Sequence, residues 1–267
     1  MNENKPQRMV AFILLLAGSF IFAFLFGEMV HEYGHYISHL AYGNSDVSVV
    51  INPFGMSRIV GVTSLPIKAM GVTSAAGPLT DLILASLTFL LLWPKRKTIL
   101  LPLLLWGPVA MISEGVNFSI GMLTPGGDAQ WISALGIPKP LLVTLGIILI
   151  AGGIFLIGLL LYSVVIPEKR SSMSVFIIVL AGMCSLMLIR FLYTALTAPE
   201  FLMENLIPLI FSLLLAVIVV IIRPVVLKLI RRMQNASVDP LSMQAVVTAL
   251  ALGLGMFAFQ ILYSIYL

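Results

Sequence analysis

The residues with the clearest chemistry lie together in His31-Glu32-Tyr33-Gly34-His35. Two histidines four positions apart share one face of a helix. Two imidazoles placed that way can grip one zinc ion. A zinc ion there would make hydroxide available near neutral pH, and Glu32, next to the first ligand, is placed to take the proton that water gives up. The chain has only three histidines, the third being His39, and all fall within this stretch. His39 continues the same face one turn on, where a straight helix cannot easily close a tetrahedron around the same ion. It reads as a polar residue at the helix end.

A catalytic zinc site usually has three protein ligands. The metzincin extension would put another histidine at position 41, but Ala41 stands there, so the third ligand must come from elsewhere. Of the eleven acidic residues, Glu28, Glu32, Asp81, Glu114 and Asp128 fall in or against apolar runs. A carboxylate in such surroundings faces a protein interior, pairs, or binds something. Asp128, in Leu123-Thr124-Pro125-Gly126-Gly127-Asp128-Ala129, is the best candidate for the third ligand. An ordinary turn aspartate after Gly-Gly is the competing reading.

The elements that must position these groups are membrane helices. The 267 residues are 60% hydrophobic and only 10% charged, too little polar surface for a water-soluble domain. Spans are predicted at 9–40, 73–93, 99–121, 140–166, 172–196, 205–227 and 243–267. The expected fold is an all-α polytopic membrane protein of about seven transmembrane helices. The first apolar run is too long for a signal peptide and reads as a retained span. Counting crossings, the ends of the first and third spans emerge on one side, which lets Asp128 reach His31 and His35.

Between the first two spans, Asp46–Ile51 and Ser57–Thr63 are rich in β-branched residues, with Asn52-Pro53-Phe54-Gly55 as a turn signal. This predicts a short β-hairpin, which in lipid must pack on protein or line a wet cavity. Cys184 is the single cysteine, so no disulfide within the chain and no cysteine metal site is expected. The net charge of +4 sits in short clusters between apolar runs. That pattern fits membrane orientation and argues against nucleic-acid binding.

Taken together, these residues resemble the site-2 protease family of intramembrane zinc metalloproteases. The likeness rests on His31 to His35 at the end of a membrane helix, on Ala75-Ala76-Gly77-Pro78-Leu79-Thr80-Asp81 as a small-residue and Gly-Pro segment opening the next core helix, and on Asn117 through Asp128 as the segment supplying the last ligand. It covers roughly residues 9–135, which sets a zinc metalloprotease core over 1–135 apart from an additional four-helix region over 136–267. The resemblance implies zinc held by His31, His35 and Asp128, with Glu32 as catalytic base. It further implies cleavage of membrane-spanning or membrane-associated protein substrates within the bilayer.

This chain departs from the family at Asp81, where an asparagine is common, and at Ala129, which replaces a glycine. Asn117 is a weak candidate for the asparagine's role, and Glu114, one turn before it, for a partner of the ligands. A non-proteolytic binding or chaperone-like protein on the same scaffold is the alternative. A transporter using the buried acids as an ion path is a third reading.

Lys5, Arg8, Lys95, Arg96, Lys97, Lys169, Arg170, Lys228, Arg231 and Arg232 are predicted on one side, and Arg58, Lys68 and Lys139 on the other. The positive-inside rule then puts the N-terminus in the cytoplasm and the site nearer the outer face of the cell membrane, opposite to the usual family description. Arg190, inside the fifth span, could pair with a membrane acid or snorkel to an interface, and snorkelling is the simpler reading.

Overall fold

A computed structural model describes residues 5–55, 57–61, 65–123, 127–165, 171–197, 202–232 and 241–266. Among them nine α-helices follow in chain order, with one two-stranded sheet between the first two. Helix α1 runs unbroken over Lys5–Ala41. At 1.5 Å per residue it extends about 55 Å, well past a hydrocarbon core of about 30 Å. Strands β1 (Ser48–Val50) and β2 (Arg58–Val60) are antiparallel, with Val49 opposite Ile59. The strands are shorter than predicted, but the hairpin lies in the predicted place.

The helices after the hairpin are α2 (Ile67–Leu92), α3 (Leu101–Ser119), the short α4 (Asp128–Ser133), α5 (Lys139–Leu160), α6 (Ser172–Thr197), α7 (Leu202–Ile221), α8 (Arg223–Arg232) and α9 (Met243–Tyr266). Six helices among the described residues are long and apolar enough to cross a membrane, or seven when the bent pair α7 and α8 counts as one span. The protein is therefore a multi-pass, all-α membrane protein. The sixth predicted span is not straight: α7 and α8 meet at 53°. Pro224 lies at that break, where a proline removes one helical N–H bond and crowds the preceding turn.

Helix α1 is the centre of the bundle, with α2, α3, α6 and α9 packed around it. Leu15, Leu16 and Leu25 on α1 are fully buried with Leu104 and Leu105 of α3 and Ile178 of α6. Lipid tails are as apolar as leucine, so helix association in a bilayer rests on close packing and polar contacts. Both are present against α9. Gly18 lies against the Ala249 backbone, and Gln260 donates from Nε2 to the Leu25 carbonyl at 2.8 Å.

Helix α2 begins earlier than predicted. Pro66 precedes its first turn, so the Gly77-Pro78 pair lies inside the helix and does not open it. Pro78 has no N–H for the Ser74 carbonyl, and the helix lacks one backbone bond at that turn. The buried face of α2 over that stretch carries Thr73, Ser74, Gly77, Pro78, Asp81 and Ala85. It is small and partly polar, and it faces the last turns of α1.

Candidate metal centre

His31, Glu32 and His35 lie in the last three turns of α1, and Asp128 is the first residue of α4. His31 Nε2 and His35 Nε2 are 2.9 Å apart. Asp128 Oδ2 lies 3.3 Å from the first and 3.4 Å from the second. A tetrahedral zinc site with bonds of about 2.0–2.1 Å has ligand atoms roughly 3.3 Å apart. The three atoms thus sit as three corners of such a site, one edge somewhat short.

The tautomers make this arrangement chemically specific. His35 Nδ1 is 2.7 Å from the Thr73 carbonyl oxygen, which can only accept. His35 must donate there, which leaves a lone pair on Nε2 of the neutral ring. His31 Nδ1 is 2.8 Å from Glu114 Oε1, and donation to that carboxylate likewise frees the Nε2 lone pair. Two nitrogen lone pairs and a carboxylate oxygen therefore converge. A single proton on one Nε2 would satisfy some of these contacts, whereas a divalent cation satisfies all three atoms at once. The donor set, two imidazoles and one carboxylate, suits zinc. Asp128 lies outside the spans. Burial alone would raise its pKa, but the imidazoles of His31 and His35 outweigh this and hold the carboxyl well below the usual carboxylate range, so it is an anion ready to act as ligand.

A second layer of contacts orients the ligands. Glu114 is 2% exposed and holds His31. Asn117 bridges two acids, donating from Nδ2 to Glu114 Oε2 at 3.3 Å and to Asp128 Oδ2 at 3.1 Å. Carboxylate–histidine–metal chains of this kind fix the ring and raise its basicity. Glu114→Gln keeps the shape but loses the charge. It should weaken metal binding about 10- to 100-fold, read by competition against a chromogenic chelator.

The two glycines of the motifs have one shared cause. A Cβ on Gly34 would lie 2.7 Å from the Ala76 carbonyl and 2.9 Å from Gly77 Cα. A Cβ on Gly77 would press into the His35 ring, 2.5 Å from Cε1. Backbone meets backbone where α1 crosses α2, and the His35 imidazole lies against Gly77 in the gap. Gly77→Ala is therefore expected to displace His35 and to lower metal content well below that of wild type, measured by elemental analysis of the purified protein.

The remaining candidates divide. Glu32 (8% exposed), Asp81 and Asn117 border a cavity of about 290 Å³, together with Gly27, Glu28, His31 and Glu114. Roughly 30 Å³ is one water's share of the liquid, so the space has room for several waters. Asp81 is turned to the indole of Trp106, accepting from Nε1 at 2.7 Å. His39 is not among the converging atoms; it lies in the last turn of α1, as the sequence suggests, but is buried. It is 5% exposed, and its Nδ1 has no partner among the described residues.

Arg190 follows the less simple of its two readings, pairing with an acid. It does not snorkel: it is 5% exposed, donates from Nη2 to Glu28 Oε2 at 2.6 Å, and donates from Nε to the Pro53 carbonyl at 2.7 Å. A lone basic residue inside a span was a signal for such a partner. Trp106 and the Thr73 carbonyl had no comparable signal. Residues 124–126 of the Asp128 segment lie outside the described residues. No protein-family model, curated protein or solved structure matches this chain.

Proposed function

We propose that the protein is an intramembrane zinc metalloprotease of the site-2 type, which hydrolyses peptide bonds of membrane-spanning or membrane-associated proteins. The observation that carries this reading is the convergence of two imidazole lone pairs and one carboxylate, with a second buried carboxylate, Glu32, on the adjoining cavity. A zinc ion held by His31, His35 and Asp128 would polarise a carbonyl and make water acidic.

The chain's own residues supply the rest. Glu114, Asn117 and the Thr73 carbonyl keep the ligand rings and the Asp128 carboxylate in place. Glu32 accepts a proton as the water oxygen forms its bond to the peptide carbon. It returns that proton to the amide nitrogen as the C–N bond breaks, giving a carboxylic acid and an amine. The cavity has room for the water that a hydrolase within a lipid phase needs. The hairpin offers strand edges on which an unwound substrate could satisfy its backbone.

A binding or chaperone-like protein would have no need for Glu32 beside the ligand set. The distribution of Lys and Arg supports a cytoplasmic N-terminus, with the centre nearer the outer face. The test is cleavage of β-casein in detergent by purified wild-type and Glu32→Gln protein, with the metal content of each measured. Cleavage by both, or by neither, overturns the reading.

A further inference from the structure

Among the described residues after 135, Arg190 is a buried charged side chain that touches the centre's surroundings. Arg190 of α6 makes three contacts with two other parts of the molecule, α1 and the β1–β2 turn. Its Nη2 meets Glu28, which lies one turn before Glu32 on α1 and borders the cavity. Its Nε meets the carbonyl of Pro53, in the turn between β1 and β2. Its guanidinium lies 4.8 Å over the ring of Phe24, another cavity residue. A planar fork with donors pointing in different directions can hold a carboxylate and a carbonyl together, which a lysine cannot do in the same way.

The turn has a second anchor beside the first. Phe54 stacks on Tyr193 of α6, ring centroids 3.7 Å apart, and meets Phe257 of α9 edge-on at 5.4 Å. Within the turn, Phe54 N–H donates to Asn52 Oδ1 at 3.0 Å, which presets the loop that presents Pro53 and Phe54. Pro53 and Gly55 are buried. The hairpin is therefore not a free flap. Its tip is docked between two accessory helices, next to the wall of the catalytic cavity.

We infer that Arg190 is a positioning residue that ties the β1–β2 turn to the wall of the metal-site cavity, so that α6 and α9 fix the hairpin where substrate must bind. The tie itself is structural. Its importance for catalysis rests on the protease reading. Removing Arg190 frees the Pro53 carbonyl and leaves Glu28 without its cation. The turn then leaves its seat, and substrate binding weakens while the metal centre stays intact.

The experiment uses the full chain in detergent, with Cys184→Ala and a reporter Ile51→Cys, a position 1% exposed beside the turn. Arg190→Gln is expected to raise the rate of labelling by a water-soluble maleimide at least about tenfold, as a local opening does. Metal content should be unchanged. The KM for β-casein should rise about tenfold or more with kcat within about threefold, the mark of lost binding and not of lost chemistry. Glu28→Gln/Arg190→Gln guards against misfolding caused by an unpaired buried charge, and it should show the same exposed thiol. Arg190→Lys should fall between wild type and Arg190→Gln.

A thiol that stays protected in both the single and the double variant overturns the inference. So does a thiol exposed only in the single variant, because the unpaired Glu28 would then be what moves the turn. A thiol exposed in both, in a protein whose wild type never cleaves casein, keeps the tie and sinks the protease reading instead.

Discussion

Glu32→Gln protein is expected to keep its zinc and to lose peptide cleavage by about a hundred- to ten-thousand-fold, the range that one positioned general base contributes. The substitution changes one oxygen to an amide nitrogen, so volume and packing are preserved at a residue only 8% exposed. The proposed metal ligands are His31, His35 and Asp128, and none of the hydrogen bonds that hold them passes through Glu32. Only the capacity to accept a proton disappears. A protein that used the site to bind an ion or a partner would not register that loss. Cleavage rate and metal stoichiometry measured on one preparation therefore separate the two classes of function. If the variant also loses its metal, Glu32 belongs to the ligand sphere and is not the base. If it cleaves at the wild-type rate, the proton acceptor lies elsewhere.

The parts of this centre that were legible in the sequence are those fixed by local geometry. The four-residue spacing of His31 and His35 on a helix dictates a shared face. The apolar runs dictate spans, and the parity of crossings brings the segment after the third span back to the first. Asp128 followed from that parity, from its place against an apolar run, and from the resemblance carried by the Asn117–Asp128 segment. Glu114 was visible because a carboxylate inside an apolar run is costly, although its specific grip on His31 Nδ1 was not. The start of α2 was misjudged because Lys68 and the polar residues near it interrupt the apolar run, while Pro66 marks the true boundary.

Other features depend on contacts that no local pattern encodes. His35 is held by a backbone carbonyl, and every residue has one. The Arg190 bond to Pro53 joins positions 137 apart. A charged residue in a span announces that it needs a partner, but the choice among Glu28, Pro53 and the interface is made by the packing of α6 on α1. Gly34 and Gly77 show the middle case. Each stands inside a motif with no local reason to be glycine, and only their mutual contact explains why both flank the imidazole.

His35→Ala and Asp128→Ala should each strip the protein of zinc, and the comparison with His39→Ala gives the result its meaning. Structural zinc sites with four ligands bind with roughly 10–16 kcal/mol. One ligand's share is then about 2.5–4 kcal/mol, or roughly a 10²- to 10³-fold loss of affinity. After dialysis against a weak chelator, wild-type protein should retain about one zinc per chain, and either ligand variant close to none. His39 lies one turn beyond His35 on the same helix, but its ring is not among the atoms that converge. His39→Ala should therefore keep the wild-type stoichiometry, although it too removes a histidine from α1. Zinc lost equally from all three variants would mean that the helix binds metal through its histidines at large, with no defined centre. Zinc kept by Asp128→Ala would remove α4 from the coordination sphere, and with it the link between the first helix and the segment after the third. A site that binds its ion only when folded also stabilises the fold, so added zinc should raise the melting temperature of wild type and of His39→Ala but not of His35→Ala or Asp128→Ala. That shift needs no substrate, so it tests the centre independently of any assay for cleavage.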